Sequence, residues 1–145
     1  MSQSGKDSAL LILPKDVVIS KDLNQPSEHK TVPIDEIPDG WSIADIGPTT
    51  IELFRNHLES SQTIIWNGPM GVFEIPEFAT GTANVAEILS TNQGTTIIGG
   101  GSTGEAVEKL GLSDQMAHVS TGGGASLEFL EGRILPGVAA LENYD

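Results

Sequence analysis

The stretch "IIGGGSTGEAVEKLG" (residues 97–111) joins a β-branched run to a segment with helical spacing through three consecutive glycines. A strand that passes through a tight glycine turn directly into a helix is typical of a parallel sheet with crossover helices. Glycine also lets a ligand approach the backbone closely, and the free N–H groups of a helix N-terminus attract phosphate or carboxylate. The stretch therefore predicts an α/β fold and indicates an anion site.

A predicted strand runs into a glycine-containing loop three times in the second half of the chain, and the last two of these loops open helices. Strands are predicted at residues 63–66, 95–98 and 117–119, and each one runs into a glycine-containing loop. Because ligands of parallel sheets bind at the carboxyl ends of the strands, we expect the three loops to meet at one edge and form one anion site. A single glycine loop would be explained more simply as a tight connection after a strand, with no ligand. The loops are residues 67–71, 99–104 and 120–124.

The remaining predictions complete a single domain. Two short strands are expected at residues 9–13 and 17–19, a polar loop at 20–30, and mostly irregular structure at 33–48, which holds three prolines. Thr49 or Thr50 is the expected cap of a helix that runs to Leu58. Later helices are expected at residues 77–91, 104–110 and 123–132, the last ended by Gly132. Gly81 is expected to weaken its helix by about 1 kcal/mol relative to alanine.

Composition limits the class of protein. A chain of 145 residues is long enough for one core, and its lack of cysteine excludes disulfides and thiolate metal sites. A net charge of −13, with only seven scattered lysines and arginines, argues against binding to nucleic acid or to an anionic membrane. There is no apolar run of ~20 residues and no secretory signal, so we expect a cytoplasmic protein without membrane insertion.

Two common nucleotide motifs fit the central loop only in part. Residues 99–104 match the G-x-G-x-x-G pattern of dinucleotide sites, but the next strand ends in Val119-Ser120-Thr121 and lacks the acid that would hold a ribose. The loop is not a P-loop either, because Glu105 stands where a lysine is required. A nucleotide held by a different loop arrangement remains open.

Longer motifs point to a family. The segments "WNGPMGVFE" (residues 66–74), "IIGGG" and "STGGGASLEFLEGRILPGVAAL" (residues 120–141) resemble the carboxyl-terminal part of phosphoglycerate kinase, as do "LLILPKDVVIS" and "VPIDEIPDGWSIADIGPTTIELF". The resemblance covers residues 9–145 and leaves residues 1–8 as a disordered or irregular start. It implies half of the family's nucleotide domain, a three-layer α/β/α Rossmann-like fold with a parallel sheet. It also implies transfer of a phosphoryl group between 1,3-bisphosphoglycerate and ADP, which gives 3-phosphoglycerate and ATP.

The resemblance assigns roles to the loop residues. Glu74 would hold the ribose, and Asn67, Pro69 and Val72 would shape the nucleotide pocket. The phosphates would lie along Gly99, Gly100, Gly101, Ser102 and Thr103. Gly122, Gly123 and Gly124, at the head of the last predicted helix, would face the transferred phosphoryl group.

The sequence departs from the family at two points. Ser102 stands where the family usually has the aspartate that helps to hold magnesium, so metal affinity should fall unless Glu105, one turn later, replaces it. The amino-terminal, glycerate-binding half has no counterpart, so we expect no turnover by this chain alone. Half a sheet should expose apolar surface to a protein partner or a complementary kinase fragment. The alternative is a truncated, kinase-derived structural or regulatory subunit, and the alternative location is the plastid stroma.

Overall fold

The computed structural model describes residues 10–120 and 122–142. Within them the chain forms two three-stranded sheets and five α-helices. The predicted irregular start at residues 1–8 lies outside this part. The strands are β1 (Asp16–Ser20), β2 (His29–Pro33), β3 (Ser42–Ile46), β4 (Thr63–Asn67), β5 (Thr95–Gly99) and β6 (His118–Ser120), and the helices are α1 (Pro48–Leu58), α2 (Thr80–Thr91), α3 (Gly101–Lys109), α4 (Gly123–Leu130) and α5 (Pro136–Glu142).

The second sheet confirms the predicted parallel α/β arrangement. Its order is β4-β5-β6, with Thr63 opposite Thr95 and Ile97 opposite His118, and all three strands run the same way. Alternate strand residues point to opposite faces, so Ile64, Trp66 and Ile98 lie on one face. There they form a buried cluster with apolar residues of α2 and α3. This cluster is the main core, and burial of its apolar surface is the principal force that holds the helices on the sheet.

The opposite face of the parallel sheet is only partly covered. Helix α4 packs across β5 on this side and leaves a groove of about 410 Å³ above Ile65 and Ile97. Ile65 is 39% exposed, and Phe129 and Leu130 of α4 are more exposed still. Helix α4 therefore contributes to the third layer of the predicted α/β/α fold.

The first sheet corrects three sequence predictions. It is antiparallel, with order β2-β1-β3, and β3 is a strand inside residues 33–48, which were expected to be mostly irregular and are irregular at residues 34–41. β2 begins in what was predicted to be a polar loop. The strand predicted at residues 9–13 is wrong for residues 10–13, which have no regular structure and expose Leu10 and Leu11, while residue 9 lies outside the described part. These differences have one physical reason. A β-strand forms where another strand hydrogen-bonds to it, and β1 pairs with both β2 and β3.

Helix α1 is capped by a residue far away in sequence, not by Thr49 or Thr50 as predicted. The helix begins at Pro48 with Gly47 at the cap position, and no side chain there caps it. Instead, the carboxylate of Asp16 accepts hydrogen bonds from the Thr49 amide at 3.0 Å and the Thr50 amide at 2.7 Å. A Cβ on Gly47 would lie 2.4 Å from the Asp16 Cγ, so only glycine leaves room for this carboxylate.

Burial and hydrogen bonding act in opposite directions on Asp16. Burial alone would raise the pKa of its carboxyl, but the hydrogen bonds from Thr50 and Thr49 outweigh burial and hold that pKa below its ordinary value of 3.8. A carboxylate at a helix N-terminus is also favoured by the helix dipole. Asp16 therefore joins β1 to α1 as a charged cap.

Helix α2 is capped in the same way by Asp45 of β3. This side chain is 1% exposed, and it accepts the Gly81 amide at 2.7 Å and the Ile46 amide at 2.8 Å. Burial raises the pKa of Asp45, and the bonds from Gly81 and Ile46 offset that rise in part. The expectation that alanine would suit α2 better than Gly81 meets a steric obstacle, because a Cβ there would lie 2.3 Å from Asp45 Oδ1.

Helix boundaries differ by a few residues from the predicted ones. Helix α2 begins at Thr80 after a separate 3₁₀ turn at Pro76–Phe78, whereas α3 begins at Gly101, three residues earlier than expected. Helix α4 ends at Leu130, with Gly132 at φ +79° just beyond it, and α5 was not predicted. In residues 10–120 and 122–142, no helix has the length and apolar character needed to span a membrane.

Candidate nucleotide-binding site

The three glycine loops meet at the carboxyl edge of the parallel sheet, as the sequence predicts. Gly100 has φ +95°, a conformation that favours glycine, and its amide donates to the Ser120 carbonyl at 3.1 Å. A Cβ on Gly123 would lie 2.8 Å from the Gly100 Cα and 3.3 Å from the Asn67 Oδ1. Because the three backbones are this close, any side chain at Gly123 would separate them.

Two helix N-termini lie side by side at this meeting point. The cap positions of α3 and α4 are Gly100 and Gly122, which make no side-chain cap, so within the described residues the first-turn N–H groups of both helices lack the usual side-chain acceptor. Positions Gly101 and Gly124 face open space, since an added Cβ would meet no atom within 4 Å. Amides with the partial positive charge of two helix dipoles and with space in front of them are suited to phosphate oxygens.

The three predicted catalytic glycines at the beginning of α4 have different surroundings. The Gly122 amide donates to the Ser120 hydroxyl at 3.3 Å, and the Gly122 carbonyl accepts from the Ser126 hydroxyl at 3.0 Å. Gly122 is thus occupied with its own loop. Gly123 packs against the Gly100 loop, and Gly124 is exposed, with open space where a Cβ would lie.

Thr103 locks the first loop onto helix α3. Its side chain is 1% exposed, and its Oγ1 accepts the Gly68 amide at 2.8 Å. The family resemblance implies that Thr103 lies along the phosphates, and in the structure Thr103 is in the first turn of α3. Its hydroxyl, however, holds the loop of residues 67–71, so a contact to phosphate from Thr103 would come from the backbone.

The segment that carries Pro69, Val72 and Glu74 is held by two buried polar residues that the sequence analysis did not identify. Thr82 Oγ1 accepts the Met70 amide at 3.1 Å, and a Cβ on Gly71 would lie 2.5 Å from Asp45 Oδ1. The Val72 amide also donates to the Ala44 carbonyl at 2.9 Å. The available signal was an aspartate among apolar residues in "IADIG", a pattern that marks a buried polar residue with a specific partner.

Glu74 lies apart from the loop junction. It is exposed and lies within electrostatic range of Lys109, at the last residue of α3. A nine-residue helix is roughly 13 Å long, so Glu74 and the Gly100 junction lie near opposite ends of α3. The structure therefore groups Asn67, Gly100, Thr103 and Gly123 together and leaves Glu74 to contact a different part of an extended ligand.

The donor set fits phosphate better than a magnesium ion held by the protein. Ser102 is an exposed hydroxyl in the first turn of α3. Glu105, the candidate replacement for the missing aspartate, pairs with Lys109 at 2.8 Å. Among the described residues, no three acidic or histidine side chains are grouped as metal ligands would be. Hard cations prefer carboxylates, so we assign no step to a metal held by this chain.

Comparison with known proteins agrees with the motifs. A family model described as "Phosphoglycerate kinase" matches residues 1–133. The phosphoglycerate kinase of Rubrobacter xylanophilus is 56% identical over 131 residues, which cover 90% of this chain and 33% of the relative. The phosphoglycerate kinase of Chloroflexus aggregans is 51% identical over 148 aligned residues, which cover 100% of this chain and 37% of the relative.

Solved structures give the same result. Phosphoglycerate kinase from Coxiella burnetii superposes with a TM-score of 0.79 at 42% identity, and the match covers 83% of this chain and 31% of the other. The phosphoglycerate kinase from Pyrococcus horikoshii gives a TM-score of 0.77 at 34% identity, and the match covers 89% of this chain and 32% of the other. The chain spans about a third of the length of the curated relatives it matches. By sequence and by fold, this chain belongs to the phosphoglycerate kinase family.

Proposed function

We propose that this chain is the carboxyl-terminal, nucleotide-binding portion of a phosphoglycerate kinase. The proposed reaction moves a phosphoryl group between 1,3-bisphosphoglycerate and ADP, giving 3-phosphoglycerate and ATP, a step of glycolysis in the cytoplasm or of carbon metabolism in the plastid stroma. The observation that carries the proposal is the contact between two uncapped helix N-termini through Gly100 and Gly123. Phosphoryl transfer is mainly positioning and charge stabilisation, which such backbone groups supply.

Each part of the site has a proposed task. The first-turn amides of α3, from Gly101 to Thr103, bind the nucleotide phosphates. Gly123 and Gly124 present α4 to the phosphoryl group in transit. Glu74 accepts hydrogen bonds from the ribose hydroxyls at the far end of α3. Mg²⁺ carried by the nucleotide would neutralise part of the phosphate charge.

We propose that the chain alone does not turn over. None of its seven lysines and arginines lies within the three loops, and the structural relatives are about three times as long. The transferred group carries charge that phosphoryl-transfer enzymes stabilise with basic residues and metal as well as amides. ATP formation from 1,3-bisphosphoglycerate and ADP by the purified 145-residue chain would contradict this part of the proposal.

A second candidate is a structural or regulatory subunit that docks on another protein. The observation that favours it is the apolar groove between α4 and the parallel sheet, with exposed Ile65, Phe129 and Leu130 around it. A complementary kinase fragment would cover the same surface. Light scattering over a range of concentrations tests this candidate. Self-association that increases with concentration would support an exposed docking surface, whereas a domain that is complete by itself should stay a monomer at every concentration.

Nucleotide binding is the direct test. Calorimetric titration of the purified chain with ADP should show saturable binding in the presence and absence of Mg²⁺. Ser102→Asp should make Mg²⁺ strengthen ADP binding more than it does in the natural chain, because a carboxylate restores a hard ligand in the first turn of α3. If neither protein binds ADP, the kinase proposal fails and the docking proposal is left.

A further inference from the structure

Two buried threonines hold the loop that follows β4. Thr103 Oγ1 accepts the Gly68 amide at 2.8 Å. Thr82 Oγ1 accepts the Met70 amide at 3.1 Å and the Gly71 amide at 3.4 Å. Each threonine is 1% exposed, and each is the third residue of its helix, α3 for the first and α2 for the second. The loop is therefore fixed at both ends by hydroxyl groups of two different helices.

The hydrogen bonding of this loop is the opposite of that at the start of α3 and α4. Every residue from 68 to 73 donates its amide to a protein acceptor, apart from Pro69, which has no N–H. Within residues 10–120 and 122–142, the carbonyl groups of Gly68, Pro69 and Met70 accept no hydrogen bond. The loop thus offers acceptors to a ligand, whereas the two helix N-termini offer donors. A nucleoside diphosphate matches both, since its sugar carries hydroxyl donors and its phosphates carry acceptors.

We propose that Thr82 is a positioning residue for the nucleoside half of a bound nucleoside diphosphate. By accepting the amides of Met70 and Gly71, it keeps the N–H groups of the loop turned inward and leaves the carbonyl groups for the sugar hydroxyls. The same bonds set the path of the chain toward Val72 and Glu74. The inference rests on the proposed function, which supplies the ligand. Thr82 acts through the loop and not by contact with the nucleotide.

Thr82 can hold the loop because the start of α2 is itself fixed. The neighbouring Gly81 amide donates to Asp45 at 2.7 Å. A Cβ on Gly71 would lie 2.5 Å from the same carboxylate and 2.6 Å from the Phe78 carbonyl oxygen, so the loop is packed tightly on its inner side. Loss of the Thr82 hydroxyl would leave two amides without their acceptor, which is costly in a buried place. Since the loop has no room to move inward, it should relieve this cost by moving toward the ligand.

Thr96 provides a matched control for Thr82. It is also buried, at 2% exposed, and its Oγ1 accepts an amide of a neighbouring segment, that of Ala117, at 3.2 Å. Thr96 is the second residue of β5, so it lies near the amino-terminal edge of the parallel sheet, whereas the glycine loops lie at the carboxyl edge. Thr96→Val thus removes the same kind of bond from the same kind of buried site, away from the ligand.

The experiment is calorimetric titration of four proteins with ADP and with inorganic pyrophosphate. The proteins are the natural chain, Thr82→Val, Thr82→Ser and Thr96→Val. In Thr82→Val the loop should hold its binding arrangement about a tenth of the time, which raises the Kd for ADP about tenfold. Pyrophosphate has no nucleoside and should bind this variant as it binds the natural chain. Thr82→Ser keeps the hydroxyl and should restore most of the ADP affinity.

Urea titration separates this effect from lost stability. Thr82→Val and Thr96→Val should both lower the urea midpoint, because each loses a buried hydrogen bond, but Thr96→Val should bind both ligands as the natural chain does. If Thr82→Val does not fold, amide hydrogen exchange of the natural chain decides. Saturation with ADP should then slow exchange at residues 70–72 more than saturation with pyrophosphate does, and equal slowing would overturn the inference.

The outcomes for the inference and for the proposed function can be told apart. An unchanged Kd for ADP in Thr82→Val, equal losses for ADP and pyrophosphate, or the same loss in Thr96→Val would overturn the inference, while ADP binding by the natural chain upholds the proposed function. Binding of ADP without binding of pyrophosphate would overturn the division of the site into two halves, and the inference with it. If the natural chain binds no ADP, the proposed function is overturned and the inference falls too.

Discussion

Gly81→Ala provides a sharp test of the buried Asp45 cap. Helix propensity alone predicts that alanine stabilises α2, by about 0.4 to 1 kcal/mol where the backbone conformation suits both residues. The structure predicts the opposite. The new Cβ would lie 2.3 Å from Asp45 Oδ1 and 2.5 Å from Ile46 Cγ1, so these atoms must move by roughly 1 Å to reach ordinary contact distance.

The size of the effect follows from two costs. Overpacking a well-filled site costs about 1 to 3 kcal/mol. Displacing the Asp45 carboxylate also weakens its 2.7 Å bond from the Gly81 amide, a type of bond to a charged group that contributes about 1.5 to 3 kcal/mol. After the gain in helix propensity, we expect a net loss of about 2 to 4 kcal/mol, a large share of the stability of a single domain.

Urea denaturation followed by circular dichroism measures this loss. With a slope of about 2 kcal/mol per M, the midpoint for Gly81→Ala should fall by about 1 to 2 M. Gly137→Ala is the matched control, since Gly137 is also the second residue of its helix, α5, and an added Cβ there meets nothing within 4 Å. An unchanged or raised midpoint for Gly81→Ala would refute the reasoning, as would an equal loss in the control.

Two further predictions test other contacts. Hydrogen bonds outweigh burial and lower the pKa of Asp16 in the fold, so the stability that its charge contributes is present above the ordinary pKa of 3.8 and is lost as pH falls through the folded pKa. The difference in unfolding free energy between the natural chain and Asp16→Asn, measured by urea titration, should therefore be largest near pH 7 and shrink in acid. Gly123→Ala should abolish saturable ADP binding, since its Cβ would lie 2.8 Å from the Gly100 Cα, and retained ADP affinity in this variant would contradict the loop geometry. Gly124→Ala has open space for its Cβ and should unfold at the urea midpoint of the natural chain or slightly above it, because alanine also favours the helix.

The fold of the second half was readable from the sequence because its signals are local. Strands β4 and β5 are short, largely apolar runs, all three strands end in glycine loops, and two of the three loops lead directly into a helix. Parallel strands place these loops at one edge without any knowledge of side-chain contacts. That rule places the loops that carry Asn67, Gly100, Thr103 and Gly123 together, whereas the proposed roles of these residues come from the resemblance of the long motifs to a family.

The antiparallel sheet and the helix caps were not readable, because they depend on partners far away in the chain. Strand β3 lies in a segment rich in proline and glycine and becomes a strand only by pairing with β1. Asp16 caps a helix 34 residues later, and Asp45 bonds an amide 36 residues later. Periodicity and turn chemistry describe neighbouring residues only.

The sequence by itself determined the parallel sheet, the edge at which its glycine loops meet and the membership of a kinase family. The tertiary structure alone decided which glycines are required by close packing and which carboxylates complete the helices. Gly47 and Gly81 are necessary because Asp16 and Asp45 occupy the space that a Cβ would fill. Such requirements arise only when distant segments are packed to native density, where a single carbon atom changes the fit.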